Sequence, residues 1–538
     1  MSKINLTTGL ISLYTLNSIY FYLDSMHITF DEIGQNALDT MENTSKHIFL
    51  TGKAGTGKST LLMYFLETSS KNLAVLAPTW VAALNIWWAT IHSFFWFAPT
   101  ITLKKAKQEA KFQIDDPKFT ELDTLVIDEI SMVRADLLDC IDVFLQIVRK
   151  SKKSFGGVQM IMIGDLYQLS PVVTSAEKLF FSKEYPSPYF FDANVIQHKK
   201  FIMEFIELEK IYRQTDQKFI DILNAIRTKT LTPKHLNSLN TRIVKDVALV
   251  QEGMVYLAGT NAKVDTINQW YLDRITTKIS TFCASSTWDL TQKQFPVKQK
   301  LMFKIWAQVM FVANDPDGRR VNGTLWKIKK IKKDMICVQI YDGEEVEVHK
   351  HTWRVAQYEY NSNKKRLDVF SVGSFTQIPL VLAWAVTIHK SQWKTFDKVI
   401  IDVSSGIFAH GQVYVALSRC RSLQWLQLTT PIQSFHVLLD YRVVHFLTKY
   451  QYDQSEMFLS LDDKVKFLKN IIKEQWRVHM TYLKSVDVKS RRIFEPQHIG
   501  TMQYNEKDFL WVSWYCHTTW KDRVFRVDRI LTVEKYSE

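Results

Sequence analysis

The stretch from Phe49 to Thr60 constrains this chain more than any other part of its sequence. It reads FLTGKAGTGKST, with an apolar run before the glycines that predicts a buried strand and an apolar run after them that predicts a helix. Glycines let the backbone wrap a phosphate chain, so that consecutive N–H groups and the helix N-terminus point at negative charge. The stretch therefore predicts a nucleoside triphosphate site, because a chance glycine-rich turn rarely has this strand and this helix around it.

Within this loop, two side chains have distinct expected roles. Lys58 can reach the outer phosphates, and the hydroxyl of Ser59 can ligate Mg²⁺. The other predicted nucleotide contacts are Gly52, Gly55, Thr56, Gly57 and Thr60.

Length and charge set broad limits on the rest of the chain. At 538 residues it is too long for one core, and about three or four modules are expected. The 68 basic against 55 acidic residues give a net charge of +13, which favours a polyanionic partner, although many basic proteins bind no nucleic acid. Five dispersed cysteines without a C-x-x-C motif indicate neither a zinc site nor a disulfide framework, which fits a reducing cytoplasm. Residues 1–26 are interrupted by polar residues, and we expect an uninformative extension ahead of a natural start at Met26, not a membrane anchor.

Residues 27–200 alternate short apolar runs with helical patterns, which is typical of a parallel sheet wrapped by helices. An acidic pair follows the predicted strand at 124–127: we expect Asp128 to hold Mg²⁺ through water and Glu129 to polarise the attacking water. Such a pair alone is usually just solvated, and its position downstream of the phosphate loop favours the catalytic role. Gln168 lies in a polar loop after the next strand, where a γ-phosphate sensor and a plain turn are equally compatible with the spacing.

A second sheet-forming region is predicted to begin near residue 202, with strands at 254–257 and 380–385. Between them, short alternating strands with turn signals indicate a small β-barrel insertion. Arg213 and Arg419 each lie beside an apolar element, although a surface position is the commoner fate of an arginine. After a polar helical stretch, residues 471–535 are rich in predicted strands.

Taken in order, the motifs of this chain resemble those of the Pif/RecD-like DNA helicases of superfamily 1, subgroup B, from about residue 29 to residue 430. The resemblance is carried by the phosphate loop, DEISM at 128–132, GDLYQLSP at 164–171, YRQ at 212–214, TIHKSQ at 387–392 and VALSR at 415–419.

This resemblance implies an α/β fold with two RecA-like domains that clamp one ATP. The first would span 27–200 and the second 201–445, with an SH3-like insertion at about 320–375 and a linker at 446–470. It also implies an ATP-dependent helicase that moves 5′-to-3′ on single-stranded DNA with Mg²⁺, in a family of DNA repair, recombination and telomere maintenance. The expected partners are single-stranded DNA and forked or tailed duplex DNA, and no membrane is expected as a partner. We expect the protein to act on DNA as a monomer in the cytoplasm.

By the same resemblance, individual residues acquire expected roles. Gln35 would read the adenine edge, and Gln168 would couple the γ-phosphate to DNA. Arg213 and Arg419 would stabilise charge on the transferring phosphoryl group. The residues that would line the single-strand track are Thr79, His92, His389 and Lys390.

The tail, residues 471–538, resembles a WYL domain. The residues that carry the resemblance include Tyr482, Arg491, Arg492, Pro496 and Arg526. It implies a small β-rich module that senses nucleic-acid or nucleotide ligands, and a plain β-module stays an open alternative.

Tryptophan stands at several positions where the helicase pattern has glycine. These positions are Trp80, Trp88, Trp306, Trp326, Trp393 and Trp425. Glycine serves for positive φ or close backbone approach, and an indole defeats both at about 1–3 kcal/mol per strained position. With 16 Trp and only 17 Gly in the chain, we hypothesise that its genome reads UGA as glycine and that these codons were translated as tryptophan. The alternative is a genuine tryptophan-rich variant with impaired DNA binding.

Two competing functions remain open on the sequence alone. One is an ATP-gated single-stranded-DNA-binding regulator that does not unwind, and the other is a phosphate-loop ATPase that acts on protein.

Overall fold

The computed structural model describes residues 29–79, 89–175, 177–244, 253–287, 297–313, 324–339, 343, 345–392, 394–404, 409–504, 507–517 and 521–536. Contacts divide the chain into two compact units: a large unit, which runs to Asn224 and resumes over Leu231–Leu438, and a small unit of Ala225–Thr230 with Leu439–Glu538. Within the described ranges, no helix combines the length and apolar character needed to cross a membrane.

A parallel sheet organises the first lobe of the large unit. Its six strands have the order β3-β2-β4-β5-β1-β6. Their bounds are β1 His47–Gly52, β2 Leu73–Ala77, β3 Ala89–Thr90, β4 Thr124–Ile127, β5 Gln159–Ile163 and β6 Met203–Leu208. β1, β2, β4 and β5 are buried almost throughout, as expected for strands with helices on both faces. β6 pairs with β1 along its whole length, so the first sheet extends past residue 200, and the predicted domain boundary there was wrong.

Helices pack around this sheet. Their bounds are α1 Glu32–Asn43, α2 Lys58–Thr68, α3 Ile91–Phe94, α4 Leu103–Phe112, α5 Pro117–Thr120, α6 Ala135–Val148, α7 Lys178–Glu184 and α8 Asn194–Gln197. α1 begins where the Asp31 carboxylate accepts a hydrogen bond from the Gly34 N–H at 2.9 Å. Leu61 and Phe65 of α2 pack with Ile48 and Leu50 of β1 in one core. This core holds the phosphate loop between a rigid strand and a rigid helix.

The second lobe of the large unit is built on a smaller parallel sheet. The strands of the region are β7 Val255–Ala258, β8 Ser280–Cys283, β9 Ser285–Ser286, β10 Lys300–Phe303, β11 Gln308–Phe311, β12 Leu325–Ile331, β13 Met335–Gln339, β14 Glu345–His349, β15 His351–Asn361, β16 Arg366–Gln377, β17 Leu380–Leu382, β18 Ala385–Thr387, β19 Val399–Ile401 and β20 Leu426–Leu428. Its helices are α9 Gln217–Arg227, α10 Pro233–Asn240, α11 Asn261–Arg274 and α12 Gln412–Leu417. The parallel sheet has the order β18-β7-β19-β20.

An antiparallel sheet of order β14-β13-β12-β11-β17 adjoins this lobe, beside the long hairpin of β15 and β16. The predicted single strand at 380–385 is two strands: β17 pairs with β11, and β18 pairs with β7 in the other sheet. Because β11 and β17 lie outside residues 320–375, the antiparallel sheet is larger than the predicted insertion.

The small unit is an antiparallel sheet with helices. Its strands are β21 Val478–Lys484, β22 Val488–Tyr504, β23 Lys507–Cys516, β24 Lys521–Arg526 and β25 Ile530–Lys535, in the order β24-β23-β22-β21-β25. Its helices are α13 Tyr441–Phe458 and α14 Leu461–Glu474, which contain all but two of the residues predicted as a linker. Leu468 and Ile471 of α14 pack against Phe494 and Trp514 of the sheet.

Candidate functional site

The phosphate loop joins β1 to α2 and requires its glycines. Gly55 and Gly57 both have φ of +84°, a left-handed conformation that side chains disfavour. A Cβ on Gly55 would lie 2.5 Å from the Cβ of Arg213, and the Tyr212 N–H donates to the Gly55 carbonyl at 2.8 Å. The segment that carries Arg213 is therefore seated directly on the loop.

Lys58 folds back over the loop that precedes it. Its Nζ donates to the carbonyls of Gly52 at 2.7 Å and Lys53 at 3.2 Å. The Thr56 hydroxyl donates to the same Lys53 carbonyl at 2.9 Å. Ser59, the predicted metal ligand, is exposed in the first turn of α2, as is Thr60.

Asp128 and Glu129 follow β4, next to the lysine. The Asp128 carboxylate accepts a hydrogen bond from the Glu129 N–H at 2.9 Å, and Glu129 has a φ of +51°. Burial raises the pKa of Asp128, while the Lys58 charge opposes that rise. Burial, with the negative charges of Asp128 and Asp165, raises the pKa of Glu129 as well. The pair is thus a compact acidic cluster whose charge a neighbouring cation would stabilise.

The described residues contain no group of three His, Cys, Asp or Glu that could by itself hold a metal ion. Mg²⁺ commonly takes only one or two carboxylates and completes its shell with water and substrate phosphates. The Ser59 hydroxyl and the buried Asp128 carboxylate fit that chemistry at the triphosphate, and burial of the acids favours a nearby cation.

Gln168 lies in a loop that is fixed against the N-terminus of α12. Its Nε2 donates to the Asp165 carboxylate at 3.3 Å, and its own N–H donates to the Asp165 carbonyl at 2.9 Å. Gly411 has a φ of +74°, and a Cβ there would lie 2.2 Å from the Gln168 carbonyl oxygen. His410 Nε2 lies 2.9 Å from the Leu166 carbonyl oxygen. The two lobes therefore meet through backbone at this loop.

The two predicted arginine fingers lie in the same cleft. Arg419 is 1% exposed; it donates to the carbonyls of Val415 at 2.9 Å and of Gln392, and to the hydroxyl of Ser418 at 2.9 Å. Arg213 donates to the Ser418 carbonyl at 3.3 Å. Burial and the charge of Arg213 lower the pKa of Arg419, and Glu129 opposes that shift. A buried and a half-buried guanidinium group thus both contact Ser418, and the negative charge of a triphosphate would stabilise this pair of cations.

Two further residues, which were not predicted from the sequence, cross the cleft. The Ala54 N–H of the phosphate loop donates to the Tyr414 hydroxyl at 2.9 Å. The Gln392 side-chain amide donates to the Glu129 carboxylate at 3.0 Å. Gln392 ends the motif TIHKSQ and Tyr414 directly precedes the motif VALSR, so proximity in sequence to Lys390 and Arg419 was the available signal.

The remaining predicted residues occupy separate places. Gln35 is exposed on α1 and donates to Asp39 at 3.3 Å along its own helix. Thr79 follows β2, and His92 lies in α3 directly after β3, which puts them at the same end of adjacent parallel strands. Burial and the Arg134 charge lower the pKa of His92.

His389 and Lys390 lie in the turn after β18. His389 is half-buried, with its pKa lowered by burial, and Lys390 is exposed. The structure therefore brings the predicted nucleotide residues of the two lobes together, apart from Gln35, and places the predicted DNA residues directly after β2, β3 and β18.

Comparison with known proteins shows the family of this chain. The PIF1-like helicase family model matches residues 27–235. The ATP-dependent DNA helicase Pif1 of Bdellovibrio bacteriovorus is 30% identical over 425 residues, which cover 77% of this chain and 91% of that protein. The chain belongs to the Pif1-like helicase family. The human ATP-dependent DNA helicase PIF1 is 33% identical over 434 residues, which cover 77% of this chain and 63% of that longer protein.

Solved Pif1 structures share the fold of this Pif1-like chain. Bacteroides sp Pif1 in complex with ADP-AlF4 has a TM-score of 0.70 at 34% identity, over 79% of this chain and 98% of that one. Bacteroides Pif1 bound to ssDNA has a TM-score of 0.58 at 34% identity, over 79% of this chain and 98% of that one.

Within this Pif1-like chain, the tryptophans at expected glycine positions have different environments. Trp306 has a φ of +75° and is 46% exposed, which fits a glycine position. Trp96, which is not among the expected glycine positions, has a φ of +53°. Trp326 lies in β12, fully buried, and its indole N–H has no hydrogen-bond partner among the described residues. Trp425 ends a short 3₁₀ turn. Trp80, Trp88 and Trp393 lie outside the described residues.

Proposed function

We propose that this chain is an ATP-dependent DNA helicase that translocates 5′-to-3′ along single-stranded DNA and couples ATP hydrolysis to duplex unwinding. The observation that carries the proposal is the cleft in which Lys58 and Glu129 of one lobe face Arg419 of the other. Membership of the Pif1-like family supports the same activity.

In this reaction the residues of the first lobe bind the triphosphate and prepare the water. Lys58 moves from the carbonyls of its own loop to the outer phosphates, and the loop N–H groups hold the rest of the chain. Ser59 and Asp128 would hold Mg²⁺, which neutralises charge on the phosphates during the transfer. Glu129 orients the attacking water and takes its proton, and burial in the cleft, which raises its pKa, makes it a stronger base for this step.

The second lobe supplies positive charge to the transferring group. Arg213 and Arg419 exchange their carbonyl partners for phosphoryl oxygens as the lobes close. Arginines in this role are worth about 10³–10⁵ in rate in other NTPases. Gln168, on the loop that touches Gly411, is suited to transmit the state of the γ-phosphate between the lobes.

Single-stranded DNA is the proposed partner, together with forked or tailed duplex. The net charge of +13 favours a polyanion, and Bacteroides Pif1 has been solved with ssDNA. Thr79, His92, His389 and Lys390 line the proposed track. Because one chain contains both walls of the cleft, we propose that it acts as a monomer. We also propose that it acts in the cytoplasm.

For the two remaining modules, we propose the identities that the sequence suggests. The antiparallel sheet of β11 to β14 and β17 is the SH3-like insertion. The small unit is a WYL-like sensor of nucleic acid or nucleotide, which its five-stranded sheet and its exposed Arg491 and Arg523 support.

One experiment tests the proposal against its competitors. We expect ATP hydrolysis that single-stranded DNA stimulates, and displacement of a strand from a 5′-tailed but not a 3′-tailed duplex. DNA-stimulated hydrolysis without displacement would favour the regulator, and hydrolysis that ignores DNA would favour an ATPase that acts on protein. Lys58→Ala is the control, and hydrolysis that survived it would refute the catalytic assignment.

A further inference from the structure

We propose that Gln392 is a positioning residue that restrains ATP hydrolysis until DNA is bound. It would hold Glu129 and Arg419 in a non-reactive arrangement and release both when a strand binds the turn that carries His389 and Lys390. This inference rests on the proposed helicase function and adds the residue that regulates its active site.

Gln392 contacts the two groups on which hydrolysis depends. Its side-chain amide donates to the Glu129 carboxylate at 3.0 Å. Its main-chain carbonyl accepts a hydrogen bond from the Arg419 guanidinium. Only 6% of Gln392 is exposed, so water competes little for either contact. A single residue thus holds the proposed base of one lobe and the proposed finger of the other.

Each of these bonds opposes catalysis. A carboxylate that accepts an amide hydrogen bond has one oxygen occupied and its plane fixed, so it is poorly placed to accept a proton from water. The Arg419 guanidinium also donates to the Val415 carbonyl and the Ser418 hydroxyl, both at 2.9 Å. With these donors directed at protein oxygens, the guanidinium must be re-aimed before it can meet a phosphoryl group.

The same turn links Gln392 to the proposed DNA track. The Gln392 N–H donates to the His389 carbonyl at 3.3 Å, and the Lys390 N–H donates to the Thr387 hydroxyl at 3.2 Å. The Ser391 hydroxyl donates to the Ile388 carbonyl at 2.8 Å and tightens the turn further. A 3₁₀ turn rises about 2 Å per residue, so Lys390 and Gln392 are about 4 Å apart along its axis. A phosphate that pulls on exposed Lys390 therefore moves Gln392 as well.

The test is steady-state ATP hydrolysis by full-length Gln392→Ala with and without single-stranded DNA. The variant removes the donor to Glu129 but leaves the main-chain carbonyl. We expect the DNA-free rate to rise about tenfold, which is about 1.4 kcal/mol and the low end for a hydrogen bond to a charged group. The DNA-bound rate should stay within about twofold, so the stimulation ratio falls while the DNA dissociation constant, measured by fluorescence anisotropy, is unchanged.

Gln308→Ala is the matched control. Gln308 is also a buried glutamine, and its amide donates to the carbonyls of Met254 at 2.8 Å and Ala383 at 2.9 Å, away from the cleft. Loss of packing alone should lower hydrolysis in either variant and raise it in neither. A DNA-free rate for Gln392→Ala at or below that of the wild type would overturn the inference. If the wild type itself showed no DNA stimulation, the proposed function would fail instead.

Discussion

Substitution of Trp306 tests directly whether the backbone conformation at this position favours glycine. Its φ of +75° is left-handed, and the backbone around it is fixed by hydrogen bonds. The Trp306 N–H donates to the Ile328 carbonyl at 2.7 Å, and the Ala307 N–H donates to the Lys304 carbonyl at 3.1 Å. The turn therefore keeps its shape whatever side chain is present, so substitution at residue 306 should change energy more than geometry.

The expected magnitude follows from what the indole gains and loses. A left-handed conformation costs a residue with a Cβ about 1–2 kcal/mol. The ring lies 4.6 Å from Lys329 Nζ, an exposed cation–π contact worth about 0.5–1 kcal/mol. Trp306→Ala keeps the strain and loses the contact, whereas Trp306→Gly loses both. Both variants lose the buried part of the indole, so Trp306→Gly should be about 1 kcal/mol more stable than Trp306→Ala, which is up to about 2–4 °C in thermal midpoint.

Thermal unfolding of the three proteins, followed in parallel, measures this order. Trp425→Gly is the control: Trp425 ends a 3₁₀ turn, where glycine gains nothing and costs backbone entropy, so this variant should melt below the parent. An alanine variant at residue 306 that matched or exceeded the glycine variant would refute the strain argument. The decoding hypothesis is tested separately by the gene, where UGG codons at Trp80, Trp393 and Trp425 would exclude it.

Three further predictions concern the first lobe and the cleft. Burial lowers the pKa of His47 to about 4, so as the pH falls from 6.5 protons bind the unfolded state first, and stability at pH 5 should drop by up to about 2 kcal/mol in denaturant unfolding; His47→Gln should remove that loss. Tyr414→Phe frees the Ala54 N–H to donate to phosphate, so the ATP dissociation constant, measured by fluorescent-nucleotide titration, should fall about fivefold. Weaker ATP binding would contradict the inference that the Tyr414 hydroxyl competes with phosphate for this N–H. Arg419→Lys loses the planar guanidinium, so kcat for ATP should fall about 10³-fold or more with little change in nucleotide affinity; a smaller loss would argue against a finger.

The sequence predicted the parts of this fold that depend on local pattern. β1, β4 and β5 each contain three or four consecutive apolar residues, and each was recognisable because a buried parallel strand needs no alternation. β6 was assigned to the wrong domain because pairing with β1 is a long-range choice that no local pattern records. The split of 380–385 into β17 and β18 was missed for the same reason: both halves are apolar, and only their partners differ.

Candidate site residues could be predicted where the chemistry is carried by charge. Lys58, Glu129 and Arg419 follow from motifs because phosphate transfer needs those charges. Gln392 and Tyr414 act through a neutral amide and a hydroxyl, and such groups are informative only once the two lobes are seen face to face.

Glycine is present at the strained positions of the ATP cleft, whereas tryptophan occupies left-handed positions elsewhere in the molecule. Gly55 and Gly411 line the cleft, where a Cβ would lie 2.5 Å from the Arg213 side chain and 2.2 Å from the Gln168 carbonyl oxygen. No side chain could be accommodated at either place without moving the lobes apart. The ATP cleft therefore requires glycine at both positions, and both glycines are present. The left-handed tryptophans, Trp96 and Trp306, lie in turns outside this cleft. This chain should therefore retain nucleotide binding, and any defect caused by its tryptophans should appear in stability and in the coupling of hydrolysis to DNA.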